Sequence, residues 1–179
     1  MSTTANGLSR RTLAKGAAWS VPVVAVAGAV PAYAISPKGT VVFNQTGACK
    51  LPGNSCKPFR KGYLLVGQLC NTWSNATVTI TASGSSGHIG GQPVVWGFDG
   101  FVLDGSSQAQ KTVTLKPGEC VNVKFGVYDR GNSQNTSIGG SLSYNYTAVS
   151  STDPSDAASG KGTVTFGASS VSPCVNCNA

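Results

Sequence analysis

The chain has 179 residues, of which 11% are charged and 8% aromatic, with 23 glycines, six cysteines and a formal net charge of +7. That length supports one domain with a real core and excludes two comfortable ones. Scarce Glu, Met and Leu beside abundant Val, Thr, Ser, Asn and Gly exclude a helical bundle, and the expected fold class is all-β.

The first element is the stretch 1–34. Arg10, Arg11 and Lys15 give a positive start, 17–30 an apolar middle, and Ala32-Tyr33-Ala34 an A-x-A ending. These are the three parts of a cleavable export signal, with the cut expected after Ala34. A membrane-spanning helix needs ~20 consecutive apolar residues. This run is shorter and carries Pro22, so no permanent membrane anchor is expected.

Ser9-Arg10-Arg11-Thr12-Leu13-Ala14-Lys15 resembles the S-R-R-x-F-L-K motif of bacterial twin-arginine signals. Ser9, Arg10, Arg11 and Lys15 match, while Leu13 replaces Phe and Ala14 replaces Leu. The apolar segment, diluted by Gly16 and Gly28, suits that route, and an ordinary secretory signal is the alternative. The resemblance covers the leader alone. It implies a bacterial protein that folds in the cytoplasm and meets the twin-arginine translocase and signal peptidase during export. It would then work secreted, extracellular or associated with the cell wall. No cysteine stands at the cleavage point, the first being Cys49, and no apolar tail follows Phe166, so a lipid or membrane anchor is not expected.

Cleavage would leave residues 35–179 with ten cations against six carboxylates, net +4. Alternating apolar and polar residues then mark strands at 39–44, 62–71 and 75–82. The stretch 93–104 contains Asp99-Gly100 between apolar runs, a two-residue hairpin signal that divides it into two strands. "KTVTL" leads through the turn "KPGE" into the clearest alternation of the chain, Val121, Val123, Phe125 and Val127. Segments 140–149 and 162–167 complete the set, with 150–162 read as a flexible surface loop. A sheet with one apolar face must bury it against another, so the expectation is a two-sheet β-sandwich of about 7–9 strands. It would fill 35–179 as a single disulfide-bearing domain with a flexible C-terminal tail.

At "LCNTWSNATVTITA" and "VTLKPGECVNVKF" the sequence resembles bacterial immunoglobulin-like surface modules of the cell-adhesion-related type, with Leu115, Pro117, Gly118 and Glu119 supplying their turn. The resemblance covers two short pieces and implies an immunoglobulin-like architecture at a cell surface.

Cys49, Cys56, Cys70, Cys120, Cys174 and Cys177 are even in number in a chain with an export signal, so disulfides are expected. If each strand reverses direction, Cys70 ends its strand where Cys120 begins its own, after four intervening strands, which pairs these two. The other four allow local bonds, Cys49 with Cys56 and Cys174 with Cys177, or cross-links from the tail to the 49–56 loop. Cross-links that close long loops are worth more in the chain-entropy model, ~4 to 5 kcal/mol. "CVNC" has thioredoxin-like spacing, but it follows a strand rather than opening a helix. A zinc site made of four cysteines would bring a second close pair, which Cys49 and Cys56 do not form.

No catalytic constellation emerges, and no cofactor or metal is expected. His88 is the single histidine, in "SSGHIGG", which reads as a surface loop, without the G-x-S-x-G of a hydrolase elbow. The six acidic residues are scattered through turn contexts. Lys50, Lys57, Arg60 and Lys61 cluster, but no recognised nucleic-acid motif accompanies them, so nucleic acid is not an expected partner. Trp73 in a polar turn and Trp96 in a strand, with Tyr144 and Tyr146 two apart, are candidate ligand-binding aromatics. Burial in the core is their alternative. The function expected is a non-enzymatic structural or interaction module at the cell surface or in the medium, with a cell-wall polymer or a surface protein as its partner. A module binding carbohydrate or cell-wall polymer is the alternative, and a secreted hydrolase a more distant one.

Overall fold

The computed structural model describes residues 39–177 apart from 54, 60, 131 and 132. Ser9, Arg10, Arg11, Lys15, Ala32 and Ala34 lie outside the described residues. Among the described residues ten strands follow one another: β1 (Val41–Lys50), β2 (Tyr63–Asn71), β3 (Ala76–Ile89), β4 (Gln92–Val95), β5 (Gly97–Leu103), β6 (Thr112–Leu115), β7 (Cys120–Tyr128), β8 (Ile138–Ser150), β9 (Ala157–Ala168) and β10 (Ser172–Pro173). One sheet is ordered β10-β1-β2-β7-β5, the other β4-β3-β8-β9, with β6 beside the first half of β3 and β4 beside its second half. The order β1-β2-β7-β5 facing β3-β8-β9 is that of an immunoglobulin-like sandwich, with β4 and β6 added beside β3 and β10 beside β1. The expected all-β, two-sheet fold is therefore the observed one.

Alternation puts one face of every long strand into the space between the sheets. Val41, Phe43, Leu65, Leu69, Phe101, Val123 and Phe125 enter from one sheet, and Val78, Ile80, Leu142, Tyr144, Val164 and Phe166 from the other. Phe125 is the hub, its ring 5.0 Å from Phe43, 5.9 Å from Phe101 and 5.8 Å from Phe166 across the gap.

A second, smaller cluster lies on the opposite face of the β1-β2-β7-β5 sheet. Leu64 and Val102 alternate with core-facing neighbours and so point outward, where Leu51, Phe59, Cys49 and Cys56 bury them. The described residues of 51–61 form this cap and none of them belongs to a strand. Gly126 makes room for it: a Cβ there would stand 2.8 Å from Phe59 Cδ1. The C-terminal segment, read from sequence as a flexible tail, is tied down. Val171 is buried, β10 pairs in parallel with β1, and disulfides join Cys174 to Cys49 and Cys177 to Cys56. The tail is thus cross-linked to the cap, and the third disulfide joins Cys70 to Cys120.

Three sequence expectations need correction. Asp99-Gly100 is not a hairpin. β5 runs unbroken against β7, the register slips between Phe98 and Gly100, and Asp99 is the extra residue of a bulge with Gly100 at φ 127°. The two-residue turn is Gly90-Gly91, at φ 56° and 83° between the paired Ile89 and Gln92. Two consecutive positive φ values suit glycine, so "GG" carried the signal that "DG" was given.

The stretch 150–162 is a turn only over 151–156, because 157–162 belongs to β9 and pairs with β8. Its small residues show no alternation, yet the Tyr146 and Tyr144 rings cover Gly160 and Gly162, closing the core where β9 has no side chains. Finally, His88 lies on a strand rather than in a loop, paired with Pro93 and Gly139.

Candidate functional site on the outer face of one sheet

The cap covers only the half of the outer face near Lys50 and Tyr63. The half near Cys70 and Cys120 is open, and the register builds a row of polar side chains across it. Asn44 pairs with Gln68, Gln68 with Asn122, and the Asp104 amide donates to the Asn122 carbonyl at 3.2 Å, so β1, β2, β7 and the turn that follows β5 each contribute one. All four are exposed. At ~4.8 Å between strands the row spans about 14 Å.

The row is internally bonded. Gln68 Nε2 donates to Asn122 Oδ1 at 3.1 Å, and Asn122 Nδ2 donates to Asp104 Oδ2 at 2.9 Å. Asn44 Nδ2 lies 3.6 Å from Cys70 Sγ, so the Cys70–Cys120 disulfide borders the row. Beside it runs a second register line, Val66, Lys124 and Val102. The turn after Leu103, with Gly105 at φ 76° and the Ser106 amide bonded to the Leu103 carbonyl, raises a wall. The result is a depression of about 250 Å³ lined by Val66, Val102, Asp104, Ser106, Asn122 and Lys124. An aliphatic floor with a few converging polar groups is the usual chemistry of a small-ligand site.

Most of the residues singled out from sequence lie elsewhere. Trp73 and Trp96 are each only 4% exposed, so neither presents a ring to a ligand, and the burial reading holds for both. The Trp73 indole lies over Gly39, where a Cβ would be 2.1 Å from its Cδ2, and packs 5.4 Å from Tyr146. Its polar turn is drawn inward by Asn71, whose Oδ1 accepts from the Trp73 amide and whose Nδ2 donates to the Ala76 and Lys116 carbonyls. Trp96 sits where the chain passes from β4 in one sheet to β5 in the other, edge-on to Tyr63 at 5.7 Å. Tyr144 is buried with its hydroxyl on Val41, and Tyr146 is half-buried.

His88 is exposed, its imidazole over Gly139. Glu119 and Asp153 serve turns, Glu119 accepting from the Lys116 amide and Asp153 from the Ser155 hydroxyl and amide. The two Ser155 bonds, hydroxyl first, hold the Asp153 carboxyl below its ordinary range. Lys50 and Lys61 flank a separate depression at the capped end with Leu51, Pro52, Gly53 and Ser133, while Arg60 lies outside the described residues. Among the described residues no three His, Cys, Asp or Glu groups converge to hold a metal ion.

The six cysteines pair as the strand count and the cross-link preference expected, Cys70 with Cys120, Cys49 with Cys174 and Cys56 with Cys177. The row Asn44, Gln68, Asn122 and Asp104 was not anticipated. Each member is visible as a polar position between apolar neighbours, but their alignment depends on cross-strand register.

No protein-family model matches the chain, and no curated protein is significantly similar to it. Among solved structures it is similar to the ASH/PapD-like domain 7 of human CEP192, at 10% sequence identity and a TM-score of 0.31, covering 79% of this chain and 87% of that one.

Proposed function

We propose that this protein is exported from a bacterial cell by the twin-arginine route and works, at the surface or in the medium, as a non-enzymatic structural and binding module. The observation that carries this reading is the cross-linking of the cap to the tail. Cys49–Cys174 and Cys56–Cys177 join positions 125 and 121 residues apart. Such bonds persist in oxidising compartments, and the cytosol reduces them. Residues 1–34 carry the export pattern that would deliver the chain there. The open polar depression, with Asp104 as its one carboxylate and no histidine in its lining, supports binding rather than turnover.

Cell fractionation with N-terminal sequencing tests the reading. The expected product begins at Ile35 in the medium or wall fraction. Arg10→Lys with Arg11→Lys should strand the full-length chain in the cytoplasm. Wild-type protein that stays cytoplasmic, unprocessed and reduced would overturn export. Ester, peptide or glycoside turnover that His88→Ala abolishes would overturn the non-enzymatic part.

A further inference from the structure

We propose that the row Asn44, Gln68, Asn122 and Asp104, with its Val66 and Val102 floor, binds a neutral glycan chain lying across the strands. The inference rests on the extracellular binding role proposed above and names its ligand class.

Three properties of the face select that ligand. First, the polar groups are amides and a carboxylate, planar groups that offer acceptors and donors to hydroxyls. Asp104 Oδ1 has no partner in the row, since the bond from Asn122 goes to Oδ2. Second, the depression holds one carboxylate, Asp104, and one ammonium, Lys124, so it presents no net charge to select a charged polymer. Val66, half-buried at the edge of the cap, suits the C–H face of a sugar ring, with the largely buried Val102 beneath it. Third, the bonds from Gln68 to Asn122 to Asp104 fix the amide planes before any ligand arrives. That reduces the ordering cost that makes exposed polar side chains poor binders. The ~14 Å span of the row fits an oligosaccharide stretch rather than a single sugar.

The opposite sheet offers a contrast. Its outer face is also rich in hydroxyls, but Thr79 bonds Thr114 at 2.9 Å and Thr81 bonds Thr112 at 3.1 Å. Each hydroxyl keeps hydrogen-bonding capacity beyond that bond, but a single oxygen does not present the planar pair of donor and acceptor that the amides of the row do.

Native affinity electrophoresis of the disulfide-intact protein tests the proposal, in gels containing dextran, mannan, β-glucan or arabinogalactan, with alginate and teichoic acid as acidic arms. The expected result is retardation by at least one neutral polysaccharide. Asn122→Ala, Asp104→Ala and Gln68→Ala should each weaken it at least tenfold, while Thr114→Ala and Thr163→Ala on the other sheet leave it unchanged. No retardation by any of the four neutral polymers overturns the proposal, as does retardation that the three row variants retain. Retardation by the acidic polymers alone, lost on Lys50→Ala with Lys61→Ala, also overturns it and moves the site to the capped end. The assay uses purified folded protein, so its outcome is independent of where the cell delivers the chain.

Discussion

The space between the sheets and the cap on the outer face are both apolar clusters, but they are built on different foundations. The first draws side chains from strands of both sheets around Phe125. The second buries Leu51, Phe59, Leu64 and Val102 under a segment that forms no strand and is joined to the tail by two disulfides. One is specified by alternation and held by burial. The other combines burial with two disulfides, bonds that persist in an oxidising compartment. The cap also ends short of Cys70 and Cys120, and its incompleteness is what leaves the polar row open.

The largest test of this difference is to remove both tail cross-links, replacing Cys49, Cys56, Cys174 and Cys177 with Ser. In the chain-entropy model the first link closes a loop of about 125 residues and contributes about 5 kcal/mol. Once it exists, the second closes only the short paths from Cys49 to Cys56 and from Cys174 to Cys177, worth about 3 kcal/mol. Denaturant unfolding should therefore show a loss of about 3 kcal/mol for either pair removed alone and about 8 kcal/mol for both, with proteolysis opening 51–61 first. Strict additivity of the two single losses would mean that the links act independently. The Cys70–Cys120 bond, 50 residues apart, should be worth about 4 kcal/mol by the same measurement, and additive with them.

Next in size are two phenylalanines. Phe125→Ala empties the hub of a packed interior and should cost about 3–5 kcal/mol. Phe59→Ala removes a ring of similar burial from a segment without regular structure, which can collapse onto Gly126. Its cost should be less than half as large, because the penalty depends on how far the surroundings relax. Equal losses would show that the cap is as rigid as the interior.

The smallest expected effect is alkaline. Burial, and then the Asp129 charge, raise the Tyr63 phenol above its ordinary 10.0, against a lowering by the Gln134 backbone. The folded state thus holds this proton more tightly than the unfolded chain. The contribution is fully present below pH ~10 and is lost as pH rises through the folded value. The stability difference between wild type and Tyr63→Phe should be flat from pH 7 to about 10 and narrow above that. A difference that is constant up to pH 11 would place the phenol in water.

The sequence disclosed the interior more fully than the cap, for physical reasons. Val121, Val123, Phe125 and Val127 alternate, and alternation is a local property of a strand that faces one core. The pairing of Cys70 with Cys120 was legible from a strand count, although one reversal was misplaced. Trp96, not Asp99-Gly100, divides 93–104, and β4 and β5 are separated by too little chain to reverse. The turning back comes after Leu103, where Gln110 pairs antiparallel with Phe101.

The first half of β9 was illegible because its small residues become core only under the rings of Tyr144 and Tyr146, which belong to another strand. Trp73 looked exposed because its neighbours are polar, while the Asn71 bonds that draw the turn inward reach as far as Lys116. The polar row has the same character. Asn44, Gln68, Asn122 and Asp104 are ordinary outward residues until register sets them in line.

The measurement that bears most directly on the two-foundation account is peptide mapping of the non-reduced protein. It should yield Cys49 linked to Cys174, Cys56 to Cys177 and Cys70 to Cys120, with no free thiol. Local pairs, Cys49 with Cys56 and Cys174 with Cys177, would leave the tail unattached to the cap and contradict the account.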